Sequence, residues 1–237
     1  MTDPERATFT LGGCLRGVRL TVPLLPGVVV FANAFGAAAA QKGLSLGEAV
    51  AMSAFVFAGA AQMVSLEVWR DAWTWSAVLG TMAVTAIINA RMILMGAAIQ
   101  PWIVQDRRAR SAFSLFFLTD ASWLVGTRYR QEGGQDLGVL FGSGVGLWAF
   151  WVLATIPGHL AGSLVPDPRR FGLDLVLPIF FCAMLVPLWR GARAARPWAM
   201  AGAVAVAVHA LVPGYAFIVA GALAGALTGA FLDEPAP

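Results

Sequence analysis

Residues 75–102, WSAVLGTMAVTAIINARMILMGAAIQPW, form an apolar run that carries Arg91 near its middle. At about 1.5 Å rise per residue, Arg91 lies roughly 24 Å along a helix from Trp75 and roughly 16 Å from Trp102. Because the hydrocarbon core of a bilayer is about 30 Å thick, the stretch predicts a membrane-spanning helix with a guanidinium at membrane depth. Such a group usually faces the bundle interior and pairs there. The alternative is an Arg that extends along its aliphatic stem to the nearer headgroups, but Asn89 beside it favours the interior.

The composition of the whole chain agrees with a membrane protein. Of the 237 residues, 59% are hydrophobic and only 12% are charged, and the mean hydropathy is +0.74, so charges are too few to cover a water-soluble globule. The apolar runs are continuous, which predicts helices rather than alternating β-segments. We expect an all-α, polytopic helical membrane protein with about seven apolar segments. The net charge of +3 comes from arginines in short loops, which are typical topology signals, and no nucleic-acid partner is expected.

The polar ends define the expected domain limits. Residues 1–20 predict a cytoplasmic N-terminal tail, residues 21–232 a single transmembrane helical domain, and residues 233–237 a polar C-terminal tail. The first transmembrane helix is expected from Thr21 to Ala40.

Asp120 is the carboxylate that we expect to face Arg91. It follows Thr119 between apolar flanks in the segment from Ser111 to Gly126. Because burial in a medium of low dielectric favours the neutral form of a carboxyl group, Asp120 is the first candidate for a proton carrier. The alternative is an interfacial acid near a helix end that pairs with nearby arginines.

The positive-inside rule does not give a simple alternating topology. The N-terminal tail and the basic loop at residues 106–110 both belong in the cytoplasm, yet three apolar segments lie between them. Either a basic loop faces outward, or one segment enters and leaves the membrane on the same side. The segments at residues 46–69 and 171–189 are the candidates, because small residues and Pro178 are typical of interrupted helices.

Each of these two segments carries a polar residue. Gln62 either forms a hydrogen bond between helices or belongs to a polar path. Asp174 is explained more simply as an acid in a first helical turn, where the helix dipole stabilises it, although a place in the substrate path stays open.

Glycines spaced four apart predict close helix packing, within the chain or against another subunit. The two series are Gly138, Gly142 and Gly146, and Gly221, Gly225 and Gly229. In contrast, the metalloprotease signature H-E-x-x-H is absent from the sequence, and Cys14 and Cys182 are isolated. We therefore expect no enzyme activity, no metal and no cofactor.

The sequence resembles the AzlC family of membrane proteins, the large subunit of branched-chain amino-acid exporters. The matching stretches follow the family's order: GLSLGEAVAMSAFVFAGAAQ at residues 43–62, Asn89-Ala90-Arg91 followed by Gly96, Leu118-Thr119-Asp120, and GLDLVLPIFF at residues 172–181. The chain departs from the family at Met92 and Met95, where a His and a Tyr are frequent, and at Ala121, where a Glu is frequent. These departures concern the substrate and any proton-coupling step rather than the fold.

This resemblance implies a multi-pass secondary transporter of the cell inner membrane. It would export branched-chain or similar apolar amino acids with a small AzlD-like membrane subunit, and proton coupling is the expected driving force. Arg91 or the start of an interrupted helix would bind the substrate carboxylate, and Asp120 with Asn89 or Gln62 would bind the ammonium. An apolar pocket would be lined by Phe55, Phe57, Met92 and Phe180. The alternatives are a transporter of another small solute and a non-transporting scaffold subunit.

Overall fold

The computed structural model describes residues 8–68, 74–104, 108–164, 175, 179, 182, 189, 191–193, 195–212 and 216–232. The chain divides into two compact units, Met1–Leu177 and Pro178–Pro237. Within the described residues the elements are helices, with one isolated β-bridge and no extended strand, which confirms the predicted all-α class. Three helical segments are long and apolar enough to cross a membrane: Leu11–Gln41, Val78–Ile103 and Leu137–Leu164.

The first of these segments consists of α1 (Leu11–Thr21), a 3₁₀ turn (Val22–Leu24) and α2 (Leu25–Gln41). It begins at Leu11, ahead of the predicted start at Thr21. The reason is local, because the Thr10 side chain accepts a hydrogen bond from Gly13 N at 2.9 Å and caps the helix. Proline occupies the first turns of the 3₁₀ turn and of α2, where no intrahelical N–H is needed.

The long helix α8 (Leu137–Leu164) runs parallel to α1 and α2. Asp136 joins their starts, since its carboxylate accepts hydrogen bonds from Thr10 N at 3.0 Å and Gly138 N at 2.8 Å. Close backbone contacts then advance along both segments in the same direction: Gly142 with Cys14, Gly158 with Asn33, and Gly162 with Ala37. The first predicted glycine series is therefore a packing surface within the chain, since a Cβ at Gly138 or Gly142 would meet α1 or the residue that caps it.

The Arg91 helix, α5 (Trp75–Ile103), runs antiparallel to α8. Trp102 Nε1 near its end donates to Gln135 O at 3.3 Å, just before α8 begins. Buried side chains complete this contact: Ile99, Trp102, Ile103, Leu118, Leu137 and Leu140. The end of α5 thus lies on the same side as the starts of α1 and α8, which we call the first side.

The segment at residues 46–69 forms a hairpin of α3 (Leu46–Phe55) and α4 (Gly59–Val68). It starts opposite the first side, where His159 Nε2 lies 2.8 Å from Leu44 O near the end of α8. After the tip at residues 56–58, α4 returns toward the start of α5, with Ser65 Oγ 3.2 Å from Thr85 Oγ1. The break between α3 and α4 confirms the expectation that this segment is interrupted. That it enters and leaves the membrane on one side stays a prediction.

A second hairpin, which the sequence did not predict, is formed by α6 (Arg108–Phe116) and α7 (Asp120–Gln131). It starts on the first side, because α6 follows the end of α5. Its tip at residues 117–119 reaches the middle of α8, and α7 then runs parallel to α5, with Trp123 Nε1 donating to Met95 O at 3.2 Å. The prediction of one uninterrupted segment from Ser111 to Gly126 is wrong, because the backbone leaves the helix at residue 117 and Thr119 caps a new helix.

The second unit contains α9 (Arg196–Leu211) and α10 (Ala216–Leu232). A Cβ on Gly221 would lie 2.9 Å from Ala201 O, and one on Gly225 would lie 2.9 Å from Ala201 Cβ. The second glycine series therefore also packs within the chain. The predicted residues Asp174, Pro178 and Phe180 lie outside the described residues.

Candidate functional site

The tips of the two hairpins meet beside the middle of α8. Trp148 lies about 16 Å along this helix from Leu137 and about 24 Å from Leu164. Its Nε1 donates to Ala54 O, near the end of α3, at 2.9 Å. Its ring packs edge to face against Phe117 in the second tip, with ring centroids 5.7 Å apart. Both interruptions therefore lie at the depth expected for the centre of a membrane.

Arg91 and Asp120 form an ion pair at this level. Arg91 Nη2 lies 2.9 Å from Asp120 Oδ2, and the two side chains are 34% and 22% exposed. The geometry agrees with the predicted pairing across the bundle and not with the interfacial alternative, because Arg128 pairs with Glu132 instead. Since Asp120 opens α7, its carboxylate also lies at the positive end of that helix.

The two returning helices begin differently. Thr119 caps α7 reciprocally with Ser122: the Thr119 hydroxyl accepts from Ser122 N at 3.3 Å, and the Ser122 hydroxyl accepts from Thr119 N at 2.8 Å. Ala58 precedes α4 and accepts the first helical bond, from Gln62 N, at 2.8 Å, but its side chain has no oxygen for the first-turn N–H groups. Those donors and the helix dipole make the start of α4 suitable for an anion.

A cavity of about 420 Å³ lies among the two tips and α5. This volume is in the range of small-molecule pockets. Most of its wall is apolar, and the polar side chain in the wall is that of Asn89. In the first tip, Phe57 has a φ of +43°, which L-residues seldom adopt and which turns the chain sharply. The lining residues are Val56, Phe57, Ala58, Asn89, Met92, Ile93, Gly96, Leu115, Phe116 and Leu118.

The structure brings several of the predicted site residues to one level of the bundle. Phe57, Met92 and Asn89 line the cavity. Arg91 and Asp120 pair with each other and are not among the lining residues, although each lies within two residues of one in the sequence. Phe55 does not line the cavity, and that prediction is corrected: as the last residue of α3 its side chain is 77% exposed.

Gln62 is fully buried on α4, away from the lining residues. Neither atom of its amide has a hydrogen-bond partner among the described residues, and the same holds for Asn89 Oδ1 and Arg91 Nε. Unpaired buried polar atoms are costly unless something satisfies them. Asn89 Oδ1 is thus a free acceptor in the wall of the cavity, and Gln62 and Arg91 keep free hydrogen-bonding atoms elsewhere in the described part of the bundle.

Sequence reasoning missed the residues contributed by the second tip and by α8. Leu115, Phe116 and Trp148 read as ordinary lipid-facing or core residues in apolar segments. The available signal was Thr119 followed three residues later by Ser122, a pair that can cap a helix start reciprocally in the manner of a capping box.

The family match described next includes both hairpins. Residues 23–165, more than half of the chain, match the family described as AzlC protein. An uncharacterized membrane protein of Archaeoglobus fulgidus is 30% identical over 222 residues, which is 92% of this chain and 95% of that protein. The inner membrane protein YgaZ of Escherichia coli (strain K12) is 29% identical over 194 residues, 77% of this chain and 74% of YgaZ.

No solved structure matches the chain. The relatives named above are membrane proteins, and the matched region contains the ion pair, the cavity and both interruptions. These findings support a transporter-type role in a membrane, and the chain belongs to the AzlC family.

Proposed function

We propose that this protein exports branched-chain or similar apolar amino acids across the inner membrane, in exchange for protons and together with a small AzlD-like subunit. The observation that carries the proposal is the Arg91–Asp120 ion pair, 2.9 Å long, at the level of an apolar cavity whose lining includes Met92 and Leu118, their near neighbours in the sequence. A zwitterion with an apolar side chain needs an anion site, a cation site and an apolar pocket within a few ångströms of one another.

The substrate carboxylate is assigned to the start of α4. Arg91 already contacts Asp120, whereas Ala58 lines the cavity and offers no capping side chain to the first-turn N–H groups of α4. A carboxylate there would accept hydrogen bonds from these donors and gain from the helix dipole. The branched side chain would then lie against Phe57, Met92 and Ile93.

The substrate ammonium is assigned to Asp120, with Asn89 as a second acceptor. Only the ionised carboxylate accepts an ammonium strongly, so a proton and the substrate compete for the same oxygen atoms. Protonation of Asp120 from one side would release the substrate there, and loss of the proton on the other side would allow the next substrate to bind. Because each site holds either a proton or a substrate molecule, inward movement of protons is coupled to outward movement of substrate.

The test is efflux from cells preloaded with radiolabelled valine, leucine, isoleucine or methionine, with and without an AzlD-like subunit. We expect efflux of at least one of these amino acids, abolished by Arg91→Ala. Asp120→Asn should abolish proton-coupled efflux, because the amide cannot carry the proton. The matched control is Arg128→Ala, which breaks the exposed ion pair with Glu132 and should leave efflux unchanged.

The outcomes separate the alternatives. Efflux that survives Asp120→Asn with its pH dependence intact would exclude Asp120 as the proton carrier. Absence of efflux of all four amino acids, from a correctly inserted protein with its subunit, would favour another small solute or a scaffold role.

A further inference from the structure

Trp148, on α8, contacts both hairpins: the last turn of α3, directly before the first tip, and Phe117 in the second tip. Its indole N–H binds Ala54 O, which is one of the last carbonyls of α3 and has no partner within that helix. Its ring packs against Phe117 at the other tip. A single rigid side chain thus links two elements that are 63 residues apart in sequence.

The same face of α8 also receives the second tip at Gly144, one turn earlier. A Cβ at this position would lie 2.5 Å from Phe117 O and 2.8 Å from Phe117 Cβ. Gly144 therefore allows the backbone of the tip to reach α8, where Trp148 holds the Phe117 ring. The first tip lines the cavity with Val56 to Ala58. The second tip lines it with Leu118, and the end of α6 with Leu115 and Phe116.

We propose that Trp148 is a positioning residue that holds the two hairpin tips at a set separation and thereby determines the width of the substrate cavity. It lies outside the lining of the cavity and acts through the tips. The inference concerns the same cavity as the proposed function, and its kinetic test rests on that function. A second test is independent of transport.

Trp151 supplies a matched control one turn along α8. Its indole packs against the Phe31 ring, with centroids 5.2 Å apart, and against Gly59 at the start of α4, where an added Cβ would lie 2.6 Å from it. Trp151 therefore contacts the first hairpin through its ring alone, because its Nε1 has no acceptor within the described part of the chain. Substitution by Phe removes the N–H from either residue and keeps an aromatic ring. Trp148→Phe therefore loses a hydrogen bond to the first tip, whereas Trp151→Phe loses none.

In the kinetic test, efflux is measured as a function of internal substrate concentration. We expect Trp148→Phe to raise KM about fivefold or more and to change the ratio of valine to methionine efflux, because the cavity is no longer held at one width. Trp151→Phe should stay within twofold of the parent in both quantities. Equal effects of the two substitutions would overturn the proposal.

In the second test, nitroxide labels are attached at Val56→Cys and Phe116→Cys, one on each tip, in a protein whose Cys14 and Cys182 are replaced by Ala. Both positions are 44% exposed. We expect Trp148→Phe to change the dipolar line broadening between the labels and Trp151→Phe to leave it as in the parent. Gly144→Ala, which displaces Phe117 while Trp148 stays intact, should change it as well.

Unchanged broadening in Trp148→Phe would overturn the proposal, even if transport were altered or Gly144→Ala changed the broadening. If the parent transports none of the tested amino acids but the broadening changes as expected, the positioning role stands and the proposed function fails.

Discussion

At the scale of single residues, the Arg91–Asp120 pair predicts an asymmetry in stability. Removing one partner of a partly buried pair leaves the other charge uncompensated, whereas removing both leaves no charge to desolvate. Because the side chains are 34% and 22% exposed, solvent screens part of this cost, and we expect Arg91→Ala or Asp120→Ala each to destabilise by roughly 1–2 kcal/mol. The double variant should be more stable than the less stable single variant. Thermal unfolding of the detergent-solubilised protein measures the cycle.

The Arg128–Glu132 pair is the matched control for that cycle. Its charged atoms lie 3.1 Å apart, much as in the Arg91 pair, but the side chains are 79% and 59% exposed. Its single variants should change stability by less than about 0.5 kcal/mol. Additive effects at Arg91 and Asp120 would mean that the two charges do not interact in the folded protein.

Individual residues were predictable where their chemistry conflicts with their surroundings. Arg91, Asn89 and Asp120 stand out because they are polar within apolar runs, and the structure places them at one level of the bundle. Trp148 carries no such conflict, since an indole in an apolar helix looks like any core residue until the two tips beside it are known. Phe55 was wrongly predicted to line the cavity. The backbone leaves the helix after Phe55, so that Phe55 is exposed and Phe57 lines the cavity, and the sequence does not show where this turn occurs.

At the scale of elements, the difference between the starts of α4 and α7 gives a second prediction. Ala58→Ser supplies α4 with the cap that Thr119 gives to α7, and a Ser cap stabilises a helix by about 1 kcal/mol relative to Ala. The same hydroxyl would occupy N–H groups that we assign to the substrate carboxylate. We expect thermal stability to be retained or raised while KM for efflux rises about fivefold, the equivalent of about 1 kcal/mol.

The control for this prediction is Ser45→Ala at the start of α3. Ser45 forms a capping box with Glu48 and is exposed near the base of the first hairpin, so its removal should lower stability without changing KM. An unchanged KM in Ala58→Ser, with α4 stabilised, would remove the start of α4 as the carboxylate site.

Contact between helical segments gives a third prediction, at Gly17. A Cβ there would meet the backbone of α8 at Val139 and Ser143, whereas one at Gly27, on the same transmembrane segment, would meet no atom within 4 Å. Gly17→Ala should destabilise by about 1–3 kcal/mol through overpacking. Gly27→Ala should be neutral or stabilising by up to about 1 kcal/mol, because alanine has the better helix propensity. Thermal unfolding of the two variants side by side gives the comparison.

The ends of a helix could be predicted from the sequence where a polar loop or a proline borders an apolar run. The limits of α8, Leu137 and Leu164, can be read from the sequence, because a polar loop precedes the helix and a proline-rich stretch follows it. The interruption at residues 117–119 lacks Gly and Pro, and the sequence FFLTDAS resembles a continuous apolar helix. Tertiary contacts decide this break, since Gly144 and Trp148 on α8 provide the surface that receives the tip.

At the scale of the described part of the first unit, the hairpins predict a topology that agrees with the charges. If each hairpin adds no crossing, α1 with α2 and then α5 make two crossings between the start of α1 and the start of α6. The starts of α1 and α6 would then both be on the first side, and the positive-inside rule predicts that this side is cytoplasmic. The hairpins start at opposite ends of α8, and their tips meet beside its middle.

Cysteine labelling tests this topology directly. In a protein without Cys14 and Cys182, single cysteines are placed at Lys42, Trp75, Val104 and Glu132, all of which are exposed in the structure. Cells treated with a membrane-impermeant maleimide should be labelled at Lys42→Cys and Trp75→Cys, because the first hairpin returns to the side from which it starts. Val104→Cys and Glu132→Cys should react only after the cells are opened, since they border the second hairpin on the cytoplasmic side.

Each hairpin has one labelled position before it and one after it, so the two positions of a pair show whether the hairpin crosses the membrane. A helix pair that crossed the membrane would place Lys42 and Trp75 on opposite sides, or Val104 and Glu132 on opposite sides. Either pattern would contradict the hairpins, and with them the meeting of two tips at mid-depth that forms the cavity. Reaction of all four positions from the same side would instead exclude α5 as a membrane-spanning helix, and Arg91 would then not lie at membrane depth.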